Sequence, residues 1–226
     1  MPALNEAQCA DELMEIFQAV TALTPVEIMH AIPHTRGKLY ELYCVGRLLA
    51  ELTGVHGLSA QFTKSGPLQL KASGGFADPT SPHFELYNRA GALFGRLYTD
   101  VEVKTLGANL GQSHGAPVHD LSAYHEIDIV VVTPQHQPLP EPGELLIGVE
   151  CKAVADFDKA FVREVLGRRR ELSYYGFGED PFGAVVMANP GSWYRLVYID
   201  PKGDNYKQSP AVFEVDLQHW IPTLPV

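Results

Sequence analysis

The spacing of apolar and polar positions divides the chain into a helical beginning, a broken middle and a strand-rich second half. Apolar side chains three and four positions apart predict one or two amphipathic helices over residues 5–31. The segment 35–54, TRGKLYELYCVGRLLAELTG, predicts a longer helix that begins at a Thr35 cap and stops at Gly54. From 58 to 99, short alternating runs broken by Gly, Pro, Ser and Asn are typical of hairpins or of an irregular β-rich insertion.

The second half alternates strands and a helix. A helix is predicted over 158–177, and strands are predicted over 100–107, 124–134, 144–154, 184–189, 194–200 and 211–216. A helix, three strands, a second helix and further strands predict the α/β class, with a mixed central sheet flanked by helices. We therefore expect an N-terminal helical segment over 1–35 and one domain over 36–226.

Composition narrows the class of protein. The chain has 226 residues, 46% of them hydrophobic, and no apolar run near the roughly 18 residues that a membrane span needs. Because its N-terminus is acidic and amphipathic, unlike a signal peptide, we expect a cytoplasmic protein with no membrane partner and reduced cysteines. The net charge of −10 argues against a general electrostatic clamp on nucleic acid, but it leaves a nuclease possible, since nuclease sites need carboxylates.

Charged residues interrupt two of the most apolar predicted strands. Asp128 lies in EIDIVVV, and Glu150 and Lys152 lie near the end of LLIGVECKAV. An unpaired charge in an interior strand is costly, so these residues need a partner or a metal ion. Neighbouring carboxylates suit Mg²⁺ or Mn²⁺, and a nearby Lys can orient a water or stabilise charge on a phosphate. Phosphodiester hydrolysis uses these groups together.

These residues resemble the PD-(D/E)xK nucleases, the restriction-endonuclease-like superfamily, which present an Asp on one strand and a (D/E)-x-K on the next. Ile127 stands where the family has its proline. The resemblance implies a restriction-endonuclease-like core and a metal-dependent nuclease, with an endonuclease on DNA favoured. Asp128 and Glu150 would be catalytic metal ligands for Mg²⁺ or Mn²⁺, and Lys152 would be the catalytic lysine. The setting it implies is prokaryotic, in phage defence or DNA processing.

The resemblance also suggests residues on the two helices. Family members often add an acidic residue from the first core helix, and Glu41 lies there within an apolar arc, so it is a candidate metal ligand and catalytic residue. Members often carry a polar or basic residue on the helix after the (D/E)-x-K strand. Arg169 falls on the apolar face of that helix and Arg163 and Arg170 flank it, which makes all three candidates for substrate binding.

Several alternatives remain open at this stage. Asp128, Glu150 and Lys152 could form a structural salt bridge, and Glu41 could pair with a neighbouring Arg. Substrate could be RNA, and the protein could act as a homodimer, with a partner protein, or as a non-catalytic interaction subunit. His125 could bind metal or act as a base, although a lone His at a strand start is more often a surface residue. The second acid and lysine pair, in DVEVKT at 100–105, is expected in the first core strand, facing solvent or substrate.

Overall fold

A seven-stranded mixed sheet forms the centre of the protein, in a computed structural model that describes residues 4–24, 27–28, 35–63, 74–113, 121–177 and 186–222. Its strands are β1 (Ser59–Thr63), β2 (His83–Tyr87), β3 (Leu93–Lys104), β4 (Tyr124–Val132), β5 (Leu145–Lys152), β8 (Trp193–Tyr198) and β9 (Val215–His219), and they stand in that order. Neighbours from β1 to β5 are antiparallel, whereas β5, β8 and β9 are parallel. A separate hairpin pairs β6 (Tyr174–Phe177) with β7 (Val186–Asn189).

Helices cover both faces of the sheet. They are α1 (Glu6–Val20), α2 (Arg36–Gly54), α3 (Leu106–Ser113), α4 (Lys159–Leu172) and the short α5 (Gln208–Ala211), with 3₁₀ turns at Leu121–Ala123, Pro142–Glu144 and Pro201–Tyr206. Phe17 of α1 and Leu48 of α2 share one apolar cluster with Ile129 of β4. Val165 of α4 shares the other cluster with Leu196 of β8. The expected α/β class, a mixed sheet flanked by helices, is therefore confirmed.

The ends of the elements differ from the predictions where local pattern and tertiary pairing compete. The segment 58–99, expected as an irregular β-rich insertion, supplies β1, β2 and the start of β3, which pair into the main sheet; residues 64–73 lie outside the described part. The helix predicted over 158–177 ends at Leu172, because Tyr174–Phe177 pairs with β7 instead. The last strand lies at Val215–His219, not at 211–216, because Gln208–Ala211 is helical.

Side-chain hydrogen bonds explain where some of the helices begin. The Asn5 side chain accepts a hydrogen bond from the Gln8 amide and caps α1, and Asp158 caps α4 in the same way. Thr35 is the N-cap residue of α2 as predicted, but its side chain makes no capping hydrogen bond. The second predicted N-terminal helix falls largely on undescribed residues, with only 27–28 helical in the described part. Among the described residues, no helix is long and apolar enough to cross a membrane.

Candidate metal centre

The candidate site lies where β4 and β5 separate. Their pairing ends at Ile129 and Val149, one residue before Asp128 and Glu150 would meet. The Asp128 side chain enters this gap, and its Oδ2 accepts a hydrogen bond of 2.6 Å from the Cys151 amide. A backbone donor left free by the separating strands is thus satisfied by a carboxylate, which fixes the position of Asp128.

Three carboxylates from three elements meet at this gap. Glu41 of α2, Asp100 of β3 and Asp128 of β4 each offer an oxygen, and these oxygens lie within 4.8 Å of one another. Asp100 lies opposite Asp128, because Thr99 pairs with Ile129 and Val101 with Ile127. Asp100 also has a φ of 50°, in a backbone region that non-glycine residues rarely occupy. We refer to Glu41, Asp100 and Asp128 as the acidic cluster.

An ammonium group from the chain contacts two members of the acidic cluster. Lys38 Nζ donates to Glu41 Oε2 at 2.6 Å and to Asp100 Oδ1 at 2.5 Å. The other oxygen of Asp100, Oδ2, is buried and has no hydrogen-bond partner among the described residues. The Asp100 side chain is 0% exposed, so this oxygen is also shielded from bulk water. A buried carboxylate oxygen without a donor is costly unless a cation or water reaches it.

Burial raises the proton affinity of the whole cluster. Burial first, and then repulsion from Asp128 and Asp100, raises the pKa of Glu41 to about 7, although the Lys38 hydrogen bond opposes the shift. Burial is also the main cause of the raised pKa of Asp100 and of Asp128. For Lys38, burial works in the opposite direction, but the hydrogen bonds to Asp100 and Glu41 raise its pKa. The carboxyl groups of the cluster therefore hold a proton more readily than they would in water, and a bound cation would favour their charged forms.

Glu150 lies outside the acidic cluster and has its own partners. Its Oε1 contacts Arg168 Nη1 of α4 in an ion pair and accepts a hydrogen bond of 3.2 Å from the Tyr194 hydroxyl. Its Oε2 is buried at 3.9 Å from Lys152 Nζ and has no hydrogen-bond partner in the part of the chain that the structure describes. Burial, followed by repulsion from Asp128, raises the pKa of Glu150 to about 7. Glu150 is therefore electrostatically coupled to the cluster.

Lys152 stands at the edge of this arrangement. Its Nζ lies 3.6 Å from Glu164 Oε1 on α4 and 5.8 Å from the centre of the Phe161 ring. The side chain is 19% exposed, against 1% for Glu150. An ammonium with this exposure beside a buried carboxylate can reach a molecule that arrives from solvent.

The three arginines predicted to bind substrate occupy different environments. Arg169 is fully buried and donates to Ser192 Oγ at 2.6 Å and to Glu214 Oε2 at 3.1 Å, so it contacts a carboxylate of the protein itself. Its burial argues against contact with a substrate. Arg163 and Arg170 are exposed on α4. The structure brings none of the three into contact with the acidic cluster or with Glu150, within the described residues.

Three further residues from the sequence analysis, His125, Glu102 and Lys104, lie outside the acidic cluster. His125 Nε2 lies 2.5 Å from Glu171 Oε2 on α4, away from the acidic cluster. Lys104 Nζ pairs with Glu141 Oε1 at 3.2 Å, and Glu102 lies opposite Glu126 on β4. In DVEVKT it is the first residue, Asp100, that joins the cluster. Sequence reasoning missed Asp100, Lys38 and Arg168; the strand register was the one signal that could have found Asp100.

The donor set suits a hard divalent cation. The acidic cluster offers only carboxylate oxygens, which Mg²⁺ and Mn²⁺ prefer. The unpaired Asp100 Oδ2 adds a buried acceptor that a cation would satisfy. Of the predicted metal ligands, Glu41 and Asp128 lie in the cluster with Asp100, whereas Glu150 is held by Arg168 and Tyr194.

Comparison with known proteins gives no relative: no protein-family model, curated protein or solved structure matches the chain.

Proposed function

We propose that the protein is a divalent-metal-dependent phosphodiester hydrolase of the PD-(D/E)xK type, an endonuclease with DNA favoured over RNA. The observation that carries the proposal is the acidic cluster, three carboxylates within 4.8 Å at the end of the β4–β5 pairing. Lys152 lies on β5 beside this gap, two residues after Glu150. The order of α2, three antiparallel strands, α4 and β8 supports a restriction-endonuclease-like core.

The acidic cluster, Glu150 and Lys152 would have different roles in the reaction. Glu41, Asp100 and Asp128 would hold Mg²⁺ or Mn²⁺, and the unpaired Oε2 of Glu150 makes it a further candidate ligand. The bound ion would supply Lewis-acid stabilisation of phosphate charge and lower the pKa of a coordinated water. Lys152 would donate a hydrogen bond to the attacking water or to a phosphate oxygen, because its ammonium lies 3.9 Å from Glu150 Oε2 on a side chain that is 19% exposed. A role in prokaryotic genome defence or DNA processing rests on the resemblance alone.

A second candidate is a non-catalytic or partner-activated interaction subunit with the same fold. One observation favours it: Lys38 and Arg168 already neutralise Glu41, Asp100 and Glu150 in part, so the buried carboxylates have cationic partners without a metal ion. The cluster nevertheless retains an unpaired buried oxygen on Asp100, which favours the first candidate.

The deciding experiment is nucleic-acid cleavage by the purified protein. Supercoiled plasmid, linear duplex, single-stranded DNA and RNA are each incubated with Mg²⁺, Mn²⁺ or EDTA. Wild type is compared with Lys152→Ala and with the control Lys207→Ala, an exposed lysine that pairs with Asp204 instead. Metal-dependent cleavage that is lost only in Lys152→Ala supports the nuclease and identifies its substrate. Absence of cleavage and of Mn²⁺ binding supports the interaction subunit, and Mn²⁺ binding without cleavage indicates a missing activator.

A further inference from the structure

Lys38 contacts two of the carboxylates that would hold a metal ion. It lies one helical turn before Glu41 on α2, and its ammonium contacts one oxygen of Glu41 and one of Asp100 at 2.6 and 2.5 Å. These two residues supply two of the three carboxylates in the acidic cluster. A divalent ion bound to the cluster would lie next to this ammonium, and two cations at such a separation repel strongly in a buried site.

The Lys38 ammonium leaves acceptors of the cluster unsatisfied. It contacts two of the three carboxylates, whereas Asp128 takes its hydrogen bond from the Cys151 amide and is also affected by cationic side chains of β5 and α4. Asp100 Oδ2 is completely buried, and no described residue donates a hydrogen bond to it. The unpaired oxygen belongs to the same carboxylate that Lys38 contacts, so the site retains an acceptor for a second cation.

Lys38 can also leave the cluster. Its side chain is 24% exposed, whereas that of Asp100 is 0% exposed, so the Lys38 side chain is the more accessible to solvent of the two. A lysine has a flexible four-carbon stem and a strongly hydrated charge, and it can withdraw into water without any movement of the backbone.

We propose that Lys38 is a built-in counter-ion that competes with a divalent metal ion for Glu41 and Asp100, and so sets the metal concentration at which the cluster fills. The inference rests on the proposed metal binding by the cluster. Without metal, Lys38 holds the carboxylates together; when metal binds, the ammonium moves to solvent. Lys38 therefore increases the stability of the metal-free protein and lowers its affinity for metal.

The test is Mn²⁺ titration by isothermal calorimetry of wild type, Lys38→Met and the control Lys207→Met. We expect Lys38→Met to bind Mn²⁺ at least tenfold more tightly than wild type, and Lys207→Met, which removes the same charge from an exposed site, to bind within about twofold of wild type. In EDTA, Lys38→Met is expected to melt at a lower temperature than wild type. Lys38→Gln, which keeps hydrogen-bond donors but has no charge, serves the same purpose if Lys38→Met does not fold.

The outcomes separate this inference from the proposed function. Wild-type binding with equal or weaker binding by the uncharged variants overturns the role of Lys38 and leaves metal binding intact. Binding by Lys38→Met alone supports the inference in its strongest form. No Mn²⁺ binding by any folded variant overturns both the inference and the proposed metal site.

Discussion

Replacement of Arg168 by Met tests how the buried carboxylate of Glu150 is stabilised. Arg168 Nη1 contacts Glu150 Oε1, and its Nη2 lies 2.6 Å from Glu164 Oε1. Without this guanidinium, the 1% exposed side chain of Glu150 keeps only the Tyr194 hydroxyl at 3.2 Å and a distant Lys152 ammonium at 3.9 Å. Removal of one partner from a buried ion pair leaves an uncompensated charge, which costs about 3–5 kcal/mol.

The lower end of this range applies here, because the Arg168 side chain is 22% exposed and water can enter the space it leaves. We expect Arg168→Met to lower the free energy of unfolding by about 3 kcal/mol at pH 8. With a urea m-value of about 2 kcal/mol per M, the unfolding midpoint falls by about 1.5 M. When Glu150→Gln is already present, the same replacement should cost less than about 1 kcal/mol, because the side chain at position 150 then carries no charge.

The assay is urea unfolding in EDTA, followed by the fluorescence of Trp193 and Trp220, on wild type, both single variants and the double variant. Arg170→Met is the matched control, since Arg170 is an exposed arginine two residues further along the same helix, and it should change stability by no more than about 0.5 kcal/mol. A loss of less than about 1 kcal/mol in Arg168→Met, or an equal loss with and without Glu150→Gln, would refute the role of Arg168 as the counter-ion of Glu150.

Three other predictions follow from the site and its surroundings. Asp100→Asn should weaken Mn²⁺ binding at least tenfold in calorimetry, because it removes a carboxylate from the acidic cluster; unchanged affinity would exclude Asp100 as a ligand. In EDTA the protein should be more stable to urea at pH 5.5 than at pH 8. The folded-state pKa of Glu41 and of Glu150 is about 7 against an ordinary 4.5, so the folded protein binds these protons more tightly than the unfolded chain does. The stability gained from this proton binding is complete below pH 4.5 and is lost as the pH rises through 7. The change of stability with pH should be smaller in Glu150→Gln. An unchanged pH profile in that variant would contradict the raised pKa of Glu150. Arg169→Met should lower the free energy of unfolding by about 3 kcal/mol, because the buried Ser192 hydroxyl loses the hydrogen bond from Arg169. The folded fraction of this variant should cleave nucleic acid at the wild-type rate. A loss of cleavage by the folded protein would show that Arg169 contacts the substrate.

Sequence pattern predicted the elements whose hydrophobic period is strong. The helix over 35–54 and the strands that contain Asp128 and Glu150 occur nearly where they were expected. The pattern was wrong at Tyr174–Phe177, where pairing with β7 ends the helical run, because a short apolar stretch fits either state and tertiary pairing decides.

The kind of residue in the candidate site could be predicted from the sequence, but the full set of residues that form it could not. Asp128 and Glu41 were selected because they are carboxylates at apolar positions, and both lie in the acidic cluster. Asp100 joins them through the register of β3 against β4, which depends on the connection between the strands and not on any local pattern.

Helix phase explains the remaining differences on α4. Arg169 was correctly placed on the buried side of the helix, but its partners there are Ser192 and Glu214. Arg168, about 100° around the helix, contacts Glu150 instead. A helical projection gives the direction of a side chain, whereas its partner depends on which strand lies opposite.

Binding of Mn²⁺ to wild type and to Asp128→Asn, measured by electron paramagnetic resonance of the free ion, shows directly whether the acidic cluster holds a metal ion. Asp128 belongs to the acidic cluster and its charge also acts on Glu150, so we expect a site in the wild type that is lost or at least tenfold weaker in a folded Asp128→Asn variant. Equal Mn²⁺ binding by the two proteins, or no binding by either, would contradict a metal centre at the junction of β4 and β5.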